Sequence, residues 1–342
     1  MKHIACSSFS FLILVYCATL FSSCSRFAGS NTTDFGEKTH IYLKTGATID
    51  DVYKEFRTKN IVKDFASFKE MAESSDLASN IHEGKYKITQ GMNNHDMVSL
   101  LKSGKQEVVR VVVNKLRKKE HIASRLSKKV ATDSATFMKL FSDTTFLAPY
   151  GINTNEIQAI VMPYTYDVYY NSSPKELFDK MYKAYNRFWT AERKAKAEKL
   201  KLSQVEVVTI ASIVDEETNK KDEMAKVASV YLNRIRKGMK LQADPTARFA
   251  YGDFTIKRVL FKHLRFDSPW NTYKYAGLPP GPICTPQPVA IDAVLENLQT
   301  DYIFFCAKED FSGYHNFASN DVEHEKNAAL FRKAMDERGI RR

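Results

Sequence analysis

From Val205 to Val214 the chain reads Val-Glu-Val-Val-Thr-Ile-Ala-Ser-Ile-Val, and it then turns abruptly to Asp215-Glu216-Glu217-Thr218. Wound as a helix, the first segment is apolar on almost every side, and a helix of that kind is a buried one. The fold therefore has to enclose this helix, with a cluster of acids at its end. The chain has the material to do so: 342 residues, 44% of them hydrophobic and 12% aromatic, which marks it as globular.

Helical spacing separates the three acids. Glu217 falls on the face of Ile210, Ile213 and Val214, whereas Asp215 follows Val208 and Ala211, and Glu216 follows Ser212 and Ile213. A carboxyl backed by apolar surface is desolvated, which raises its pKa toward the range a proton donor needs near neutral pH. Cleavage of a glycosidic bond requires such a donor. Spacing equally allows Glu217 to be a surface acid paired with Lys220 and Lys221.

The other end of the chain addresses location. Lys2 precedes a run from Phe9 to Phe21 in which only Ser10, Tyr16 and Thr19 are polar or semi-polar, and Phe21-Ser22-Ser23-Cys24 follows. The run suits a signal h-region better than a transmembrane span of ~20 residues. The small residues before Cys24 suit a bacterial lipoprotein processing site, although Phe21 stands where Leu is usual. Either a lipoprotein signal or an uncleaved single-pass anchor would place the chain beyond about residue 35 outside the cytoplasm. The formal charge of +11 and pI near 9.2 favour acidic partners. No zinc spacing, RNP-like strand or basic zipper supports nucleic acid among them. Outside the targeting segment only Cys284 and Cys306 remain; an oxidising compartment would allow them to pair, but they are read as separate buried thiols.

After a polar linker, strand, turn and amphipathic-helix signals recur. His40 to Leu43 precedes Ile49, Val52, Tyr53 and Phe56 at helical spacing. Lys85 to Ile88 precedes Gly91 and the helix of Met97, Val98, Leu100 and Leu101. Val108 to Val113 precedes Ile122 and Leu126. These units are reminiscent of LysM, a glycan-binding fold, and equally of a structural spacer. Pro174 to Leu202 reads as one long charged helix with Leu177, Met181, Tyr185, Phe188 and Trp189 on one side. Beyond the acid helix, Met224, Val227, Ala228, Tyr231 and Ile235 form the stripe of a second helix that Gly238 stops. Asn233 lies off that stripe and is free to face a cleft. Gly277 to Ile283, rich in proline and glycine, must be a stiff loop, which Thr285 and Pro286 extend. Tyr302 to Ala307 reads as a buried strand.

Several stretches together resemble the endolytic murein transglycosylase family, the YceG-like proteins. They are Ala211 to Thr218, Val227-Ala228-Ser229-Val230-Tyr231-Leu232-Asn233-Arg234-Ile235, Met239 to Thr246, Tyr251-Gly252, Trp270-Asn271-Thr272-Tyr273 and Gly277 to Ile283. The resemblance is strong over roughly 205 to 330 and loose over 39 to 130. Pro163 to Tyr166 bridges the two. The family's catalytic glutamate falls on Glu217. Where the family usually has Glu-Lys-Glu, this chain has Asp215-Glu216-Glu217, which keeps the acid. Its usual Trp-Pro-Asp-Thr is here Met162-Pro163-Tyr164-Thr165, which removes an acid.

The resemblance implies a lyase that cleaves the β-1,4 bond between N-acetylmuramic acid and N-acetylglucosamine inside peptidoglycan strands and leaves 1,6-anhydro-muramyl ends. By analogy it would terminate nascent strands beside peptidoglycan synthases. Asn233, Gln242, Asp244, Asn271, Tyr273, Thr285 and His315 are candidate substrate contacts, each equally able to serve as a turn cap or structural hydrogen-bond partner. His315 and His324 fit no common zinc spacing, so neither metal nor cofactor is expected. Two alternatives stay open: a hydrolytic muramidase, in which Asp244 would supply a second carboxylate, and a non-catalytic glycan-binding envelope protein. The expected organisation is α+β. A signal or membrane anchor occupies residues 1–24 and a linker 25–38. LysM-like α+β modules follow over 39–130, a bridging helical region over 131–204 and a catalytic α+β domain over 205–342. Its place would be anchored at the cell membrane, with the catalytic domain periplasmic.

Overall fold

A computed structural model describes residues 29–256 and 258–339 of the chain. The anchor expected at 1–24 lies outside the described residues. None of the described helices is long and apolar enough to cross a membrane.

The chain is mixed α+β, with small two-stranded sheets, and it divides into two compact units. The smaller comprises the described residues up to 110, together with 129–132 and 167–173. It begins with β1 (Lys38–Leu43), α1 (Ile49–Thr58), α2 (Phe65–Ser74), β2 (Gly84–Thr89) and α3 (Asn94–Ser103). The capping signals are local. Thr48 and Asp51 form a capping box at the start of α1, the Asp64 carboxylate accepts the Ser67 N–H, and Gly104 ends α3 in the left-handed region. The strand and helix signals from the sequence are all present, but they do not make serial repeats. β1 and β2 pair antiparallel, Lys38 against Thr89 through Leu43 against Gly84, and share one core with the helices between them. Ile41, Val52, Phe56, Phe68, Tyr86 and Leu101 have no exposed surface there, and Phe56 stacks on Phe68 at 4.2 Å. A lone strand–turn–helix unit has too little apolar area to close a core, so the first two units merge.

β3 (Val108–Val112) and β4 (Thr165–Tyr169) form a second sheet, and between them comes α4 (Lys119–Ser127), then α5 (Ser134–Phe141). The larger unit holds 111–128, 133–166 and the chain from 174 onward, including most of the region read as bridging. The single helix expected from Pro174 to Leu202 is two, α6 (Pro174–Phe188) and α7 (Ala191–Lys199). Thr190 breaks it: its backbone is extended and its hydroxyl accepts the Arg193 N–H as an N-cap.

Helix α8 (Gln204–Glu217) is the enclosed helix, buried continuously from Val207 to Asp215 and started by a Ser203–Glu206 capping box. It packs against α9 (Met224–Arg236), α10 (Asp244–Tyr251) and α11 (Pro288–Glu296). A hairpin of β5 (Phe304–Ala307) and β6 (His315–Ala318), followed by α12 (Asp321–Glu337), completes the unit. β5 is half-buried along its length rather than buried. Cys284 is buried, Cys306 is half-buried, and both are free thiols.

The proline-rich loop 277–283 fastens to the middle of α8, where the Ile283 N–H donates to the Ser212 hydroxyl at 3.0 Å. A Cβ on Gly281 would lie 2.2 Å from the Asn155 carbonyl oxygen. Gly281→Ala is therefore expected to lower stability by about 1–3 kcal/mol, read as a drop in the urea midpoint. An unchanged midpoint would refute this close approach.

Candidate active site

Glu217 is the last residue of α8, and the three acids at this end meet three different environments. Asp215 is buried and paired with Lys115, whose Nζ lies 3.2 Å from Oδ2 and donates to the Asp215 carbonyl oxygen at 2.5 Å. Glu216 takes a forked bond from Arg117, with Nη2 2.9 Å from Oε2 and Nε 3.1 Å from Oε1. Glu217 has no ion pair among the described residues. Its Oε1 accepts a 2.6 Å hydrogen bond from the Tyr231 hydroxyl, presented by α9. The Lys220 and Lys221 partners allowed by the sequence are thus not realised.

This environment sets the charge of the Glu217 carboxyl. Burial raises its pKa most, the Tyr231 hydrogen bond opposes it, the Asp244 carboxylate adds to it, and the balance puts it at about 7. Burial also holds the Asp215 carboxyl above the ordinary range, with Lys115 opposing. The Tyr231 and Tyr273 phenols are pushed up by burial and by the carboxylates they face, so both remain protonated donors.

Glu217 opens on a pocket of about 340 Å³ that Tyr231, Arg234, Gln242, Asp244, Tyr273 and His324 line, with Phe304 and Phe305 of β5 closing one side. Asp244 is the first residue of α10, where a helix N-terminus favours an acid, and its Oδ1 accepts the Tyr273 hydroxyl at 2.6 Å. Gln242 reaches the pocket from a backbone with φ of 52°, strain that clusters at functional positions. Its side-chain oxygen accepts from Arg234 Nη1 at 3.1 Å. Arg234 is 7% exposed and spends its other bonds on the carbonyls of Ile303, Lys240 and Leu241. It forms no ion pair among the described residues, so it contributes a buried positive charge to the wall.

Of the contacts expected from the sequence, Gln242, Asp244 and Tyr273 therefore share the pocket with Glu217, and the other four lie elsewhere. Asn233 is buried and donates to the carbonyls of Thr300 and Tyr302 rather than facing a cleft. Asn271 is wholly buried, donates to the carbonyls of His263, Leu264 and Phe266, and shapes the turn that presents Tyr273. Thr285 bridges Asn114 and Leu116, which secures the segment carrying Lys115 and Arg117. His315 holds Glu223 through its backbone and ring nitrogens, both at 2.8 Å, and so ties β6 to the start of α9. All four spend hydrogen bonds on the protein itself, Asn233, Asn271 and Thr285 in buried positions and His315 in a half-buried one. Tyr231, Arg234 and His324 were not expected in the pocket. The signal for Tyr231 was a phenol on an otherwise aliphatic helix stripe, since a buried hydroxyl has to find a partner.

The chain matches the family described as YceG-like over residues 41–330. It belongs to the YceG-like family. This YceG-like chain is 30% identical over 305 residues to the endolytic murein transglycosylase of Bacillus subtilis, covering 84% of this chain and 83% of that one. It is 28% identical over 180 residues to the protein of the same name in Streptococcus pneumoniae R6, covering 51% of this chain and 32% of the relative. It thus spans about a third of that streptococcal protein. Its fold is similar to the crystal structure of a yceG-like protein from Listeria monocytogenes, with a TM-score of 0.57, 25% identity and coverage of 85% and 98% of the two chains.

Proposed function

We propose that this protein is an endolytic peptidoglycan transglycosylase with Glu217 as its single acid/base. The observation that carries this reading is a carboxyl whose pKa stands at about 7, held by Tyr231 and in no ion pair among the described residues, on the wall of a polar and aromatic pocket. Protonated Glu217 gives its proton to the oxygen leaving C1 of N-acetylmuramic acid. The resulting carboxylate takes the proton of the muramyl C6 hydroxyl as that oxygen attacks C1, and the 1,6-anhydro ring closes without water. Tyr231 on Oε1 orients the carboxyl, and among the described residues no donor engages Oε2, which suits it to carry the moving proton. The names of the relatives support the same activity.

One observation favours a second reading. Asp244 lines the same pocket and adds to the raised pKa of Glu217, as the second acid of a hydrolase would. Its bond from Tyr273 and its place at a helix N-terminus give it a structural task as well. Mass spectrometry of products from purified sacculi separates the two. Transglycosylation leaves muramyl ends lighter by one water than hydrolysis does, and products carrying that water would overturn our reading.

We further propose that the smaller unit is a LysM-like glycan-contacting module. Its strand–helix–helix–strand order supports this, as does a pocket of about 360 Å³ at the β1–α1 turn, beside the exposed Tyr42. The apolar run before Cys24 supports anchorage at the cell membrane, by lipid or by a single span, with both units outside the cytoplasm. That location suits the termination of nascent strands beside peptidoglycan synthases.

A further inference from the structure

A second pocket in the larger unit, of about 310 Å³, has two lysines in its wall. Its wall carries Lys118, Lys119, Asn155, Gln158, Phe249 and Trp270. Lys118 and Lys119 are both half-buried, and neither forms an ion pair among the described residues. Among the described residues the Lys119 ammonium donates only to the Thr154 carbonyl, at 3.4 Å, and the Lys118 ammonium lies 5.4 Å from the centre of the Phe254 ring. The indole nitrogen of Trp270 is buried with no acceptor among the described residues. Buried donors are nearly always paired, so one without a partner beside two unneutralised lysines marks a place for an acceptor from outside. Lys118 also gives no side-chain cap to α4, whose positive end therefore adds to the same field. The one acid in the wall, Glu120, is exposed and cannot neutralise both lysines.

The position of this pocket narrows the ligand. Phe249 and Asp244 lie on one helix, α10, with Asp244 in the first pocket and Phe249 in the second. The helix rises about 8 Å between them and turns about 140° around its axis, so the two pockets lie on different faces of α10. An extended ligand that reaches around this short helix can belong to the same molecule as a glycan at Glu217. The volume admits a short peptide segment rather than a bare ion, and the Phe249 and Trp270 rings, 5.7 Å apart, supply an apolar wall for it.

We propose that this pocket binds the carboxylate-bearing peptide substituent of the glycan strand, with Lys118 and Lys119 taking the carboxylate and Trp270 donating to it. The proposal rests on the peptidoglycan reading above. It makes the enzyme selective for strands that still carry their peptides.

Full-length wild type, K118Q/K119Q and W270F would be compared on glycan strands bearing peptides and on strands stripped by an amidase. On peptide-bearing strands both variants should raise the half-saturating concentration about tenfold, as loss of a charged hydrogen bond does, with kcat unchanged. On stripped strands they should match wild type. Equal losses on both substrates, or no loss on either, would overturn the proposal. Binding is read separately from catalysis by tryptophan fluorescence with N-acetyl-alanyl-glutamate and its uncharged diamide as probes. A saturable change with the acid alone, absent in K118Q/K119Q, supports the site, and no difference between acid and diamide refutes it. If wild type yields no anhydro product while the acid probe still binds, the activity assignment fails and the anion site stands.

Discussion

Glu217→Gln is expected to abolish release of anhydro-muropeptides from sacculi, by about 10³-fold or more, because the amide can neither give nor take the proton. The same substitution should stabilise the fold above neutral pH. The folded-state value of about 7 lies above the ordinary 4.5, so proton binding favours the folded chain. That contribution is fully present below about pH 4.5 and is lost as pH rises through about 7. The span between those values corresponds to about 3 kcal/mol, an upper figure because the half-buried side chain keeps some access to solvent. Glutamine does not titrate, so the variant should gain on wild type between pH 5 and pH 8 in urea denaturation. Retained activity would remove Glu217 from the chemistry, and a gap constant with pH would remove the buried-acid account.

Lys115→Ala should carry the largest stability loss, about 3–5 kcal/mol at neutral pH. The Asp215 side chain is 1% exposed, and Lys115 is the cation bonded to it. Removing the partner leaves a buried charge uncompensated, which costs more than the pair itself contributes. The sign with pH follows from the direction of the Asp215 shift. Burial already raises that carboxyl against the pull of Lys115, and without the lysine it rises further. The loss should therefore shrink toward acid pH, where Asp215 takes up a proton. Denaturation at pH 5 and pH 8 tests this, with exposed Lys199→Ala as a control expected within about 0.5 kcal/mol of wild type. A Lys115→Ala variant as stable as that control would show that the pair is not buried in the sense argued.

These two substitutions also explain how the three acids part company. Each stands at the end of the same buried helix, yet Asp215 and Glu216 are neutralised by Lys115 and Arg117, while among the described residues Glu217 receives only a phenol. Cationic partners for the first two leave the third as the acid whose proton can move. The cations beside Asp215 and Glu216 are what distinguish those two acids from Glu217.

Much of the fold was local in origin and so readable along the chain. The enclosed helix, its capping serine, the stop at Gly238 and the strands near 40, 86 and 110 follow from hydrophobic period and turn chemistry, which act over a few residues. Glu217 stood out from Asp215 and Glu216 by its aliphatic backing for the same reason. Partners remote in sequence were decided only by the tertiary structure. Lys115 and Arg117 meet their acids from about a hundred positions away, and β1 closes its sheet with β2 across two helices. The fate of the polar candidates was likewise settled by burial: Asn233, Asn271 and Thr285 are consumed by backbone groups in dry places, while Gln242, Asp244 and Tyr273 are turned toward the pocket. Side-chain type along a chain states what a group can bond. Only packing states whether protein or ligand is there to be bonded.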